Sequence, residues 1–178
     1  MKPIELAQKV FERLKTFDEG EVLKKLNLAN EGARADYLNH ETCFNYQFMC
    51  CLVDVIKPKQ IVELGGAMGV GTICLHHYIP KKSHLFSITL PEAGLEFSYI
   101  EKPYPDNLHL IVGDDLDMKN WEGVDLSKTD LWYFDSDHSY KQLKTELDLY
   151  SPYFKKGTIL MFDDIRMDQL WPLWYKLP

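Results

Sequence analysis

An open, doubly wound parallel α/β sheet of about five strands is the fold class that this sequence predicts. Three observations carry that prediction. Five short apolar runs recur between residues 60 and 163, and each runs into glycine, threonine or an acid. Turn-forming or charged residues bound them. Several of the intervening stretches have helical spacing, where an antiparallel sheet would need only tight turns.

The elements follow in order. Residues 3 to 27 space Ile4, Leu6, Val10 and Leu14, then Val22, Leu23 and Leu26, as two helices separated near Gly20. "NEGARADYLNHE" (30 to 41) reads as a loop. "ETCFNYQFMCCLVDVIK" (41 to 57) reads as a helix with a broad apolar face, stopped by Pro58. Then come a strand "QIVELG" (60 to 65), a helix "GVGTICLHHYI" (69 to 79) and a strand "HLFSITL" (84 to 90). A short helix is predicted over 92 to 100. Strands follow at "NLHLIVGD" (107 to 114) and "TDLWYFD" (129 to 135). The helix over 139 to 154 keeps Leu143, Leu147 and Tyr150 on one side, and "GTILMFD" (157 to 163) is the last strand. Residues 1–57 are thus a helical appendage that covers one end of the sheet, and 58–178 the sheet core.

Composition removes several function classes. A chain of 178 residues has room for one domain with a real core. Its formal charge is -7 with no basic run, so a nucleic-acid backbone is a poor partner. No apolar stretch is long enough to span a membrane. "MKPIELAQKVFERLK" is too charged for a secretory signal. The four cysteines form no CxxC pair, which predicts reduced, packed thiols in a cytoplasmic protein.

In open parallel sheets, ligands bind outside the carboxyl ends of the strands. Those ends here are Glu63 to Gly65, Thr89, Gly113 to Asp115, Asp135 to His138, and Asp163 with Asp164. The first end opens the loop "VELGGAMGVGT" (62 to 72). It offers no GxGxxG, and the phosphate-loop pattern fails because Thr72 stands at the lysine position. What fits is acid-x-Gly-x-x-x-Gly, with Glu63, Gly65 and Gly69.

That pattern resembles the first motif of class I S-adenosylmethionine-dependent methyltransferases, which have a Rossmann-like sheet. The resemblance extends over most of residues 41 to 166. It implies that Gly65, Gly66 and Gly69 pass under the methionine part of the cofactor and that Glu63 orients the loop or the amino group. "LIVGDD" looks like the family's adenine-side segment, which gives Asp114, and less directly Asp115, the base contact. The family usually ends its second strand in an acid for the ribose. This chain has Thr89 there, with Glu92 three residues on.

Within that family, "FDSDHSY" and "MFDD" resemble the metal-dependent O-methyltransferases of the catechol type and their relatives around macrocin O-methyltransferase and cephalosporin hydroxylase. The resemblance implies a divalent ion, Mg²⁺ by its oxygen donors, on Asp135, Asp163 and Asp164. Adjacent strands lie about 4.8 Å apart, so such side chains can meet. His138 resembles a replacement for the catechol-type lysine base, and its ordinary pKa near 6.5 suits proton transfer. The implied reaction is metal-assisted O-methylation of a small hydroxylated molecule, a sugar or an arene. Tyr37, His40, Phe44 and Tyr46 offer an aromatic wall for it. The family's C-terminal antiparallel hairpin has no counterpart before the chain stops at "DQLWPLWYKLP". That ending leaves two readings: the chain is a fragment, or the sheet edge is covered by a partner subunit such as a second copy of the chain. It also keeps a rival reading open, a non-catalytic binding or scaffold protein on the same fold.

Overall fold

A computed structural model describes residues 2–18, 43–92, 94–165, 170 and 172. The second N-terminal helix, the loop over 30 to 41 with Tyr37 and His40, and all of the final tail but Leu170 and Pro172 lie outside the described residues. Helix α1 (Pro3–Leu14) opens with proline in its first turn and Glu5 near its N-terminus, both favourable there. It packs on α2 (Cys43–Ile56), where Arg13 Nε donates to Asp54 Oδ2 at 2.5 Å and stacks over Tyr78. Met49 to Val53 are all buried, and Cys50, Cys51 and Cys74 are buried thiols outside any disulfide.

The sheet comprises β1 (Gln60–Leu64), β2 (His84–Thr89), β3 (Leu108–Val112), β4 (Leu131–Phe134) and β5 (Ile159–Phe162). All neighbours are parallel, in the order β3-β2-β1-β4-β5. Strand alternation splits the core. Ile61, Leu85, Leu131 and Tyr133 face α1, α2 and α3 (Val70–His77). Val62, Ile88, Trp132 and Phe134 face α4 (Tyr140–Tyr150), with Leu143 and Tyr150 buried against them. No helix of the described residues is long and apolar enough to cross a membrane.

The described residues of 92 to 100 form turns and irregular backbone, where the sequence predicts a short helix. Their backbone donors are used elsewhere. Phe97 N–H donates to the Ala67 carbonyl at 2.9 Å, and Tyr99 N–H to the Met68 carbonyl at 3.0 Å. Bonds that a helix would make within itself instead clamp the glycine loop.

Strand order reverses between β1 and β4, so the crevice of the fold opens at the ends of these two strands. Gly65 leaves β1 with φ +92°, and its N–H donates to the Ile88 carbonyl at 2.9 Å. A β-carbon there would collide with the Asp135 carbonyl and lie 2.7 Å from Ser136 Cα. Replacing Gly65 with alanine should therefore destabilise the chain by about 3 kcal/mol or more, read from urea unfolding. Gly123→Ala, at φ +82° in open space, should cost only about 1–2 kcal/mol.

Candidate active site

The β1–α3 turn forms one wall of the crevice. Glu63 is 1% exposed, at the end of β1 on the α3 side. Its Oε2 accepts from Thr72 Oγ1 at 2.6 Å and from Ser87 Oγ at 2.5 Å. Burial pushes this acid up to about 7, against the pull of those two hydroxyls. Glu63 thus ties β1, β2 and α3 together beneath the loop. Gly69 caps α3 at φ +104°, a conformation that glycine adopts without strain. Thr89 closes the loop from β2, its hydroxyl accepting from Ala67 N–H at 3.1 Å.

A cleft of about 480 Å³ runs from this wall along the carboxyl ends of the strands. Gly65, Thr89, Glu92, Asp114, Asp115 and Asp135 all line it. The two adjacent acids differ. Asp114 is exposed, and its Oδ1 accepts from Leu116 N–H at 2.9 Å. Asp115 is 6% exposed and hydrogen-bonds with Glu146, a buried residue of α4. Gln142 Nε2 reaches both, at 3.1 Å from Asp115 Oδ1 and 3.0 Å from Glu146 Oε1. Ser136 donates a further hydrogen bond to Glu146. Burial and then the neighbouring Asp115 push Glu146 up to about 8, while burial raises Asp115. At neutral pH one proton thus stays within the pair, on Glu146.

The acids of β4 and β5 form the other wall. Asp135 N–H donates to the Leu64 carbonyl, and Asp163 N–H to that of Phe134. The parallel ladder thereby brings both carboxylates to one end of the sheet. Ser139 caps α4 by accepting from Gln142 N–H at 3.2 Å, which keeps the connecting loop short and His138 close to Asp135. Ligand atoms of Asp135, His138 and Asp163 lie within 4.8 Å of one another, the one such acid, cysteine and histidine group among the described residues.

Asp164, expected in the metal set, is not in that trio. Its backbone turns left-handed at φ +45°, and its carboxylate approaches His138 Nδ1 at 3.3 Å. Nε2 of the same ring lies 3.1 Å from Asp135 Oδ1. His138 thus sits between two carboxylates, and its bond to Asp135 raises its pKa despite partial burial. Burial, with Asp163 adding to it, pushes Asp135 up to about 6, although His138 and Tyr133 draw it down.

Sequence reasoning brought Glu63, Gly65, Gly66, Gly69, Thr89, Asp114, Asp115, Asp135, His138, Asp163 and Asp164 to the strand ends, where the structure also has them. It missed Gln142, Glu146 and the buried phenol of Tyr133. Glu146 carried a signal: it falls inside the apolar stripe of Leu143, Leu147 and Tyr150, where a charge needs a partner.

Residues 62–165, more than half of the chain, match the sequence model of a methyltransferase domain. The chain belongs to that family. No curated protein sequence matches it significantly. An O-methyltransferase from Bacillus cereus, solved in complex with SAH, superposes with a TM-score of 0.68 at 15% identity, covering 97% of this chain and 89% of the other. An SAH-bound methyltransferase from Podospora anserina gives 0.57 at 17%, covering 93% and 72%. MycE methyltransferase of the mycinamycin biosynthetic pathway, solved with Mg and SAH, gives 0.50 at 14%, covering 76% and 37%. At these identities the likeness is one of fold.

The raised acids set a pH dependence. In the folded chain Glu146 keeps a proton that the unfolded chain has released above its ordinary pKa of 4.5. Its stabilisation is complete below about 4.5 and is lost as pH rises through about 8. Without metal, the melting temperature should fall between pH 6 and pH 9, and Glu146→Gln should flatten that fall. Parallel curves for the two proteins would contradict the shared proton.

Proposed function

Proceeding from its membership of the methyltransferase-domain family, we propose that this chain is an S-adenosylmethionine-dependent O-methyltransferase. It acts with a divalent metal ion, Mg²⁺ or a similar one, on a small hydroxylated molecule such as a sugar or an arene. One observation carries the reading. The glycine loop meets the acid trio at a single crevice, with Gly65 against the backbone of Asp135 while the Asp135 carboxylate faces His138 and Asp163. SAH in the Bacillus cereus and Podospora anserina structures supports the cofactor, and Mg with SAH in MycE supports the pairing.

In this reading the loop backbone from Gly65 to Gly69 holds the methionine part of the cofactor, while Glu63 fixes the loop from below. Thr89, its hydroxyl already accepting from Ala67, can still donate to a ribose hydroxyl, and Glu92 lines the same cleft. Asp114 and Asp115 take the base. When bound, the cofactor supplies a methyl carbon on a cationic sulfur.

Two carboxylates fit a divalent ion that prefers oxygen donors, such as Mg²⁺ or Mn²⁺. Asp135 and Asp163 would hold it, with His138 beside them. An ion held there would lower the pKa of an acceptor hydroxyl. The bound cofactor would give up its methyl group, the carbon–sulfur bond breaking as the acceptor oxygen bonds to carbon, and the hydroxyl proton would leave. His138 receives it, and Asp135 and Asp164 stabilise the resulting imidazolium. The base must start neutral, so the rate would rise as pH passes the His138 pKa of the loaded site.

Calorimetry should show saturable one-site binding of S-adenosylmethionine. Asp135→Ala should weaken Mn²⁺ binding by on the order of 100-fold and change cofactor affinity little. Absence of cofactor binding by the unmodified protein would contradict the reading and favour a scaffold role.

A further inference from the structure

Tyr133 is the penultimate residue of β4, and strand alternation turns its side chain away from the cleft. It is 1% exposed. The ring sits beside the first turn of α3. A β-carbon placed on Gly71 would be 3.6 Å from Tyr133 Cε1, 3.6 Å from Met49 Cε and 2.9 Å from Glu63 Oε1. An apolar ring suffices for that packing, as the neighbours Ile61 and Leu131 show. A buried phenol also needs a hydrogen-bond partner. Its partner is Asp135, whose Oδ2 accepts from the Tyr133 hydroxyl at 2.9 Å.

Two of the contacts of the Asp135 carboxylate are of unlike kind. His138, at Oδ1, is partly exposed and belongs to the trio of candidate ligands. Tyr133, at Oδ2, is fully buried, is not a candidate ligand, and is fixed by the packing of α2 and α3. A hydrogen-bond donor behind a ligand fixes its orientation and tunes its affinity for an ion. On the reading given above, we propose that Tyr133 is a positioning residue of the metal centre: its buried hydroxyl aims the Asp135 carboxylate at the ion. The first turn of α3 continues the cofactor loop, so the same ring rests on the wall that would carry the methyl donor.

The test compares the unmodified protein with Tyr133→Phe, which keeps the ring and removes the hydroxyl. Mn²⁺ is titrated by calorimetry, and S-adenosylhomocysteine is titrated separately in the presence of a chelator. Tyr133→Phe should bind Mn²⁺ about 10-fold more weakly, within the range for such supporting groups. Its S-adenosylhomocysteine affinity should stay within about twofold. Equal Mn²⁺ affinity in the two proteins would overturn the inference, and so would a parallel loss of both affinities, which marks general damage. Failure of the unmodified protein to bind Mn²⁺ would overturn the metal reading itself. A second measurement needs no variant fold. With 3-fluorotyrosine at position 133, the ¹⁹F resonance should shift on adding Mg²⁺; no shift at saturating Mg²⁺ would overturn the inference.

Discussion

The close approach of two backbones, that of Gly65 leaving β1 and that of Asp135 and Ser136 leaving β4, is the constraint on which the site depends. It lies where strand order reverses between β1 and β4, and it leaves no room for a side chain at Gly65. From it the glycine loop runs to one side and the acid trio to the other, sharing Asp135 as a wall. A ligand on the loop and an ion on the trio would be neighbours without any movement of the chain. The turns over 92 to 100 and the Thr89 hydroxyl hold the loop from its outer side, so it is fixed on both flanks.

The second theme is how one sheet end accommodates so many acids. Each is handled differently. Glu63 accepts hydrogen bonds from two hydroxyls in the core. Asp115 and Glu146 share a proton, with Gln142 and Ser136 donating around them. Asp135 has Tyr133 behind it and His138 beside it. Burial raises the proton affinity of every one of these acids, so the cleft favours groups that carry positive charge into it. A sulfonium cofactor and a divalent cation are such groups, and this is the electrostatic reason for pairing them here.

Much of this was legible in the sequence because strand ends are marked twice, by the close of an apolar run and by glycine or an acid at that close. The sheet, its helices and the positions of Gly65, Asp115, Asp135 and Asp163 follow from those marks. Partner choice across space was not legible. Asp163 and Asp164 look alike in the sequence, and only the left-handed turn at Asp164 directs its carboxylate to His138. Asp115 and Asp114 are likewise adjacent, yet one is buried against α4 and the other exposed. The tyrosine of "LWYF" read as one more apolar strand residue, since nothing local distinguishes a phenol that packs from one that also donates. Helical propensity over 92 to 100 lost to Pro91, Gly94 and the hydrogen bonds that the glycine loop supplies.

The most direct test is diffraction from crystals grown with S-adenosylhomocysteine and Mn²⁺, with data collected at the manganese absorption edge. The account requires an anomalous peak within about 2.2 Å of the carboxylates of Asp135 and Asp163, and the nucleoside in the cleft between Thr89 and Asp115. Manganese bound away from Asp135, or the nucleoside outside that cleft, would contradict it.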